Sequence, residues 1–321
     1  MSIKIPVLLI AFNRFSYTQK VIESLRDYEP TKLYLAMDAP KNKFDEESQN
    51  KIIRFVRENL KESDVIEIRG KVNLGTGKFI PDAISKFFEF ENFGVILEDD
   101  CVPSQSFFDY CLQMKDIRKL NPRVMAVCGT NLLSEGECGD SYFFGPFFVP
   151  WGWATWKSEW KKFDQRTVSP MEIKSINFSS WYKSRKLGNF MRDYIVISTG
   201  RNSEVWTGFW LYSIIRSGGV IAIPVTNLVT NIGFQGVGNN SNRTLQKLFT
   251  RMSFELNAPD FQELKILDIG QLEKLYYQLL KSANRGNSSM MARYLTITSR
   301  RVINFKLIIV KKVLGNRNRP I

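Results

Sequence analysis

An α/β fold, with a mostly parallel central sheet flanked by helices, is predicted by three features of the sequence. Short apolar runs without polar alternation recur through the first half of the chain, as strands buried on both faces require. Stretches with apolar residues at helical spacing separate them, giving the order β-α-β-α-β-α-β. The fourth run, residues 93–97, ends in three consecutive acids, Glu98, Asp99 and Asp100, and the carboxyl edge of such a sheet is where ligands bind.

Residues 5–12 form the first run, with Pro6 tolerated at its start. Asn13, Arg14 and Phe15 turn the chain, and Ser16 with Gln19 reads as a capping box opening a helix that faces inward through Val21, Ile22 and Leu25. Residues 32–37 give the second strand, ended by Asp38-Ala39-Pro40-Lys41, and a charged amphipathic helix follows with Ile52, Ile53, Val56 and Leu60 on one face. Residues 65–68 make the third strand. A glycine-containing loop to Gly77 leads into a helix marked by Ile80, Ile84, Phe87 and Phe88. After the acids, Phe107, Phe108, Cys111, Met114 and Ile117 fit a helix, and residues 124–128 a fifth strand closing on Gly129-Thr130-Asn131. Residues 142–160 carry Trp151, Trp153, Trp156 and Trp160, a density that suits either a core or a platform on which sugar rings stack.

At 321 residues, 44% hydrophobic and 24% charged, the chain can bury a sizeable core in one large or two small domains. No basic region followed by a long apolar stretch opens it, and no run of about 18 apolar residues occurs, so neither export nor a spanning helix is expected. The four cysteines, Cys101, Cys111, Cys128 and Cys138, have no C-x-x-C spacing and read as reduced core thiols of a cytoplasmic protein. Histidine is absent, which excludes Ser-His-Asp hydrolysis, Cys-His catalysis and His-ligated zinc. The formal charge is +13, but ten basic residues and no acid lie between Lys281 and Arg319. The preceding chain is therefore nearly neutral and gives no sign of a nucleic-acid groove.

Three acids at a strand end repel one another and lose solvation, so a divalent cation is their natural partner. Hard oxygen ligands suit Mg²⁺ or Mn²⁺, and an ion held by one or two carboxylates keeps positions free for phosphate oxygens. An acidic helix N-cap before Ser104 is the plainer alternative. Neither G-x-G-x-x-G nor G-x-x-x-x-G-K-[ST] is present, which leaves a cation as the main device for holding a diphosphate.

The blocks Val7-Leu8-Leu9-Ile10-Ala11-Phe12-Asn13-Arg14, Asp38, Asn73-Leu74-Gly75, Glu98-Asp99-Asp100, Pro150-Trp151-Gly152-Trp153-Ala154-Thr155-Trp156 and Asn227-Leu228-Val229-Thr230-Asn231-Ile232-Gly233-Phe234 together resemble bacterial sugar transferases of the GT-A fold, distantly similar to N-acetylglucosaminyltransferase I. The resemblance implies a GT-A-like nucleotide-diphospho-sugar transferase fold and metal-dependent, inverting transfer of a sugar from a nucleotide-diphosphate donor. The acceptor it implies is a glycan or lipid-linked glycan of bacterial surface polysaccharide, lipopolysaccharide or capsule. By motif position, the resemblance implies that Asp100 is the metal ligand. It likewise implies that Glu98 and Asp99 contact the donor, that Ala11, Phe12, Asn13, Arg14, Asp38, Asn73 and Gly75 match the donor and nucleotide positions, and that Trp151, Trp153 and Trp206 line the acceptor or sugar.

One departure concerns the base. Where related enzymes carry an acid after a tryptophan, this chain reads Trp206-Thr207-Gly208-Phe209-Trp210. Glu204 is then the nearest candidate base, and a surface residue capping its helix toward Arg216 is the alternative. Relatives also place a histidine after the Asn-Ile-Gly block, where this chain has Gln235. A non-catalytic sugar-nucleotide or glycan binder on the same scaffold is the second reading. A sugar-1-phosphate nucleotidylyltransferase shares the strand order but needs a glycine-rich loop after the first strand, which Phe12-Asn13-Arg14 does not offer.

Residues 1–244 are expected to form the transferase domain and residues 245–321 a helical, basic C-terminal extension. Ile303, Leu307, Val310 and Leu314 lie at helical spacing beside Arg300, Arg301, Lys306, Lys311 and Lys312. Such a helix can lie on an anionic membrane, at the inner face of the plasma membrane, or dock on the domain with a solvated basic face.

Overall fold

A computed structural model describes residues 4–131, 141–182, 184–200 and 203–233, together with the strand Lys265–Ile266. The 244/245 boundary, Gln235, Cys138 and the basic stretch after Lys281 lie outside the described residues.

The predicted β-α alternation forms as β1 (Val7–Ala11), α1 (Phe15–Tyr28), β2 (Lys32–Met37), α2 (Lys43–Asn59), β3 (Asp64–Arg69), α3 (Thr76–Phe90) and β4 (Phe93–Glu98). A short β5 (Cys101–Pro103) precedes α4 (Gln105–Leu120) and β6 (Val124–Cys128). Then come β7 (Ser141–Gly145), β8 (Trp153–Trp156), α5 (Lys157–Trp160), α6 (Pro170–Ser175), α7 (Arg185–Ser198), α8 (Trp206–Arg216), β9 (Val220–Pro224), β10 (Val229–Asn231) and β11 (Lys265–Ile266).

Among the described residues, nine strands make one sheet in the order β11-β7-β9-β6-β8-β4-β1-β2-β3. β1 pairs in parallel with β2 and β4, and β2 with β3, as continuous apolar runs predict. The other half is mixed: β8 enters antiparallel between β4 and β6, and β7 runs antiparallel to β9. β8 is among the strands that the sequence did not mark, because its aromatic residues show no strand alternation.

Helices cover both faces. Val7, Leu9, Leu33, Leu35, Val95 and Leu97 pack with Val21, Ile22, Leu25, Ile52, Val56 and Phe108 from α1, α2 and α4. On the opposite face Leu8, Ile10, Tyr34, Ala36 and Ile96 meet Ile84 and Phe87 of α3, Ile195 of α7 and Trp206 and Trp210 of α8. The period-2 alternation of side chains divides each strand between these two cores. The capping box expected at Ser16 does not form. α1 begins two residues earlier, with Arg14 at its N-cap and no side-chain cap, because the Arg14 carbonyl accepts from Tyr17 N and Thr18 N.

Candidate functional site at the sheet edge

Three strands bring the first-half site residues to one edge. Ile10 lies opposite Glu98, and Ala11 opposite Met37. The residues that follow, Phe12 to Arg14, Asp38, and Asp99 with Asp100, therefore leave the sheet side by side at its carboxyl ends. This is where open α/β sheets place their ligands.

A cation already sits on the acidic turn, and the chain supplies it. Asp99 accepts from Arg14 Nε at 3.2 Å and from Nη2, and the same Nη2 donates to Asp100 Oδ2 at 2.9 Å. Asp99 also accepts from the Phe12 backbone amide. The far oxygen of Asp100 faces the ribbon formed by β5 and β10, which pair antiparallel with Asn231 opposite Cys101. Asn231 Nδ2 lies 3.4 Å and Cys101 Sγ 3.5 Å from Asp100 Oδ1, and Ile232 N donates to the Asp100 carbonyl at 2.8 Å. Gly233 follows, its amide donating to Asn231 Oδ1 at 2.9 Å. A Cβ at position 233 would overlap Asp100 Oδ2, so glycine keeps that oxygen approachable.

Burial opposes the charge on Arg14, but Asp99 and Asp100 more than offset it and hold the guanidinium charged. Burial pushes the Asp99 carboxyl up to about 6 against the pull of Arg14. Glu98 is pushed up to about 8 by burial and by the charges of Asp100 and Asp99, so a protonated Glu98 suits the ion-free turn at neutral pH.

Asp38, expected beside a nucleotide, acts in this structure as a loop clamp. Its Oδ2 accepts from Leu74 N at 2.9 Å and Gly75 N at 2.8 Å, and its Oδ1 from Ala39 N at 2.9 Å. Asn73 Nδ2 donates to the Ala39 carbonyl at 2.7 Å. Asp38, Asn73 and Gly75 thus form one unit that sets the start of α3. Asn13 is similarly engaged, donating to Asp45 Oδ1 at 2.7 Å, while Lys41 Nζ lies 5.5 Å from the centre of the Phe12 ring.

Glu204 is half-buried where the chain enters α8. It packs on the first turn of α3, since a Cβ at Gly77 would collide with its carbonyl and Cβ. That contact brings Glu204 to the end of the 73–75 loop that Asp38 clamps. The ion pair toward Arg216 is not the one formed: Arg216 Nη1 pairs with Asp164 Oδ2 at 3.2 Å. Thr207, in the place of the relatives' acid, is buried and hydrogen-bonds Tyr194, whose hydroxyl burial pushes up to about 12.

The tryptophans settle on the core reading. Trp151, Trp153 and Trp206 are 4%, 1% and 1% exposed, leaving no ring face free for a sugar as the chain stands. Trp153 lies 5.9 Å from Trp206 and 6.1 Å from Trp210, and Trp210 lies 5.0 Å from Trp160. This aromatic cluster fills the space between the sheet and α8. Cys101, Cys111 and Cys128 are buried free thiols.

Sequence reasoning gave Asn231, Gly233 and Cys101 no place beside the acids, reading Cys101 only as a core thiol. The signal was present in the Asn227 to Phe234 block, but only the ribbon shows that it meets the acids.

The chain matches no family model and no curated protein. Among solved structures, the inositol-1-phosphate CTP transferase of T. maritima aligns at 11% identity and a TM-score of 0.39, over 77% of this chain and 96% of that one. An apo UDP-glucose pyrophosphorylase aligns at 8% and 0.36, over 69% of this chain and 90% of that chain. The glycosyltransferase GlyE of Streptococcus pneumoniae TIGR4 aligns at 13% and 0.28, over 49% and 35%. At these scores the likeness carries no argument about chemistry.

Proposed function

We propose that the carboxyl edge of β4, β1 and β2 binds a nucleotide-diphosphate sugar, and that the chain is a glycosyltransferase passing that sugar, with inversion, to a glycan or lipid-linked acceptor. The observation that carries the reading is the acidic turn itself: two carboxylates, Asp99 and Asp100, paired with the single guanidinium of Arg14 at the ligand-binding end of a buried strand. The hard oxygens of Asp100, satisfied here by a guanidinium, fit Mn²⁺ or Mg²⁺. Such an ion, when bound, neutralises charge gathering on the departing diphosphate.

In this reading Phe12, Asn13 and Arg14 face the nucleoside and phosphates, and the Asp38 clamp holds the 73–75 loop as one wall of the site. Glu204, at the far side of that loop, takes the proton from the acceptor hydroxyl as the new bond forms. Docking of the basic extension, residues 245–321, on an anionic membrane surface would bring a lipid-linked acceptor to the same edge.

Thr207 favours a second reading, a sugar-nucleotide or glycan binder without turnover, because the buried position after Trp206 offers a hydroxyl in place of a carboxylate. A screen of nucleotide sugars for thermal stabilisation, with and without Mn²⁺, followed by a transfer and hydrolysis assay on each hit, separates them. Stabilisation with turnover that falls at least a hundredfold in Glu204→Gln supports transfer. Stabilisation without turnover supports the binder, and no stabilisation by any nucleotide sugar defeats both.

A further inference from the structure

We infer that Arg14 and a divalent ion are alternative occupants of the Asp99–Asp100 pair, so that the ion enters only by displacing the guanidinium, which is then free to meet the donor's phosphates. The inference rests on the donor reading above and adds the role of a resident cation that holds the turn between substrates.

Four observations support it. The first is that Arg14 joins both carboxylates at once, Nη2 serving Asp99 Oδ1 and Asp100 Oδ2 together. An ion on Asp100 Oδ2 would stand within a few ångströms of that nitrogen, where two positive charges repel strongly in a partly buried site. Second, the two oxygens of Asp100 differ in their partners. Oδ1 faces Asn231 and Cys101 across the ribbon, whereas Oδ2 meets Arg14 on one side and the space left by Gly233 on the other.

Third, the side chains differ in exposure: 41% for Arg14 but 6% for Asp99 and 9% for Asp100. The guanidinium lies over the carboxylates from the solvent side, the side from which a hydrated ion arrives. Fourth, the Arg14 main chain is held independently of its side chain. Its carbonyl receives Tyr17 N, Thr18 N and Thr18 Oγ1 at the start of α1, so displacement needs side-chain rotation alone. The guanidinium carbon also lies 5.2 Å from the centre of the Tyr17 ring, a stacking face within the same turn of helix. Arginine's planar donors then suit phosphate oxygens, which a displaced guanidinium could bind in bidentate fashion.

The test uses the full chain and Mn²⁺ alone, then Mn²⁺ with UDP or GDP, read by calorimetry and thermal shift. Arg14→Ala is expected to bind Mn²⁺ at least tenfold tighter than wild type, because no resident cation has to leave. It is also expected to lose the added stabilisation that a nucleoside diphosphate gives to the Mn²⁺-bound wild type. Arg14→Lys, which keeps the charge, should bind Mn²⁺ within a few-fold of wild type. Equal or weaker Mn²⁺ binding by Arg14→Ala would overturn the inference.

Should Arg14→Ala fail to fold, the wild type carries the test through the Nε–H resonance of Arg14, identified by its loss in Arg14→Lys. That resonance should move as Mg²⁺ saturates the protein. A resonance that stays in place while Mg²⁺ binds would equally overturn the inference. Absence of nucleoside diphosphate binding in both proteins defeats the donor reading instead, and the exchange is then decided by the Mn²⁺ affinities alone.

Discussion

Replacing Asp38 by asparagine separates a loop clamp from a ligand group. The wild-type carboxylate accepts two amides of the neighbouring loop, Leu74 N and Gly75 N, at 2.9 and 2.8 Å on Oδ2. Bonds to a charged acceptor contribute about 1.5–3 kcal/mol each and neutral ones about 0.5–1.5. Loss of the charge should thus cost about 1 kcal/mol for each amide, or about 2 kcal/mol for the pair. With a urea slope of about 3 kcal/mol per molar, the unfolding midpoint should fall by about 0.7 M. The assay is urea denaturation followed by tryptophan fluorescence, since four of the seven tryptophans, Trp153, Trp160, Trp206 and Trp210, form one buried cluster. An unchanged midpoint combined with lost nucleotide binding would refute the clamp and return Asp38 to the ligand.

Other outcomes follow from the same geometry. In chelator-treated protein, Glu98, with a folded pKa near 8 against an ordinary 4.5, favours the folded state fully below its unfolded value, and that contribution is lost as pH rises through about 8. Stability should therefore decline between pH 5 and 8 in urea titrations at each pH, and Glu98→Gln should flatten the slope. Gly233→Ala should weaken Mn²⁺ binding at least tenfold by calorimetry, because its Cβ overlaps Asp100 Oδ2; unchanged affinity would mean that Oδ2 is not the ligand. Gly77→Ala pushes on the Glu204 backbone and should cost about 1–3 kcal/mol of stability, the usual range for overpacking. Trp153→Ala should cost about 3–5 kcal/mol, and a smaller loss in thermal or urea unfolding would count against a packed aromatic core.

The first half of the fold was legible because β1, β2, β3 and β4 are buried parallel strands, whose apolar runs are long enough to stand out between helices of clear periodicity. The mixed half was harder to read. β8 has tryptophans at both ends, so neither alternation nor turn chemistry marks it, and β5 and β10 are three residues each, too short for any period. At the site, the acids were read as calling for a divalent cation, and the guanidinium that pairs with them in the fold was not foreseen. The signal for that ion pair was present: Arg14 ends the block that follows β1, and β1 is the strand beside β4. Asp38 and Asn73 were read singly as ligand groups, since only the folded loop reveals that they bind each other's backbone neighbours.

The ribbon of β5 and β10 has a consequence for how the protein is made. Asn231 reaches Asp100 across 131 positions of sequence, so a nascent chain that has just formed β4 holds its acids without their later support. Ordering the turn must wait until the ribosome has delivered the distant strand, and long loops of this kind close late. A growing polypeptide would therefore have β1 to β4 in hand well before the turn at their carboxyl edge gains its last hydrogen-bond partners.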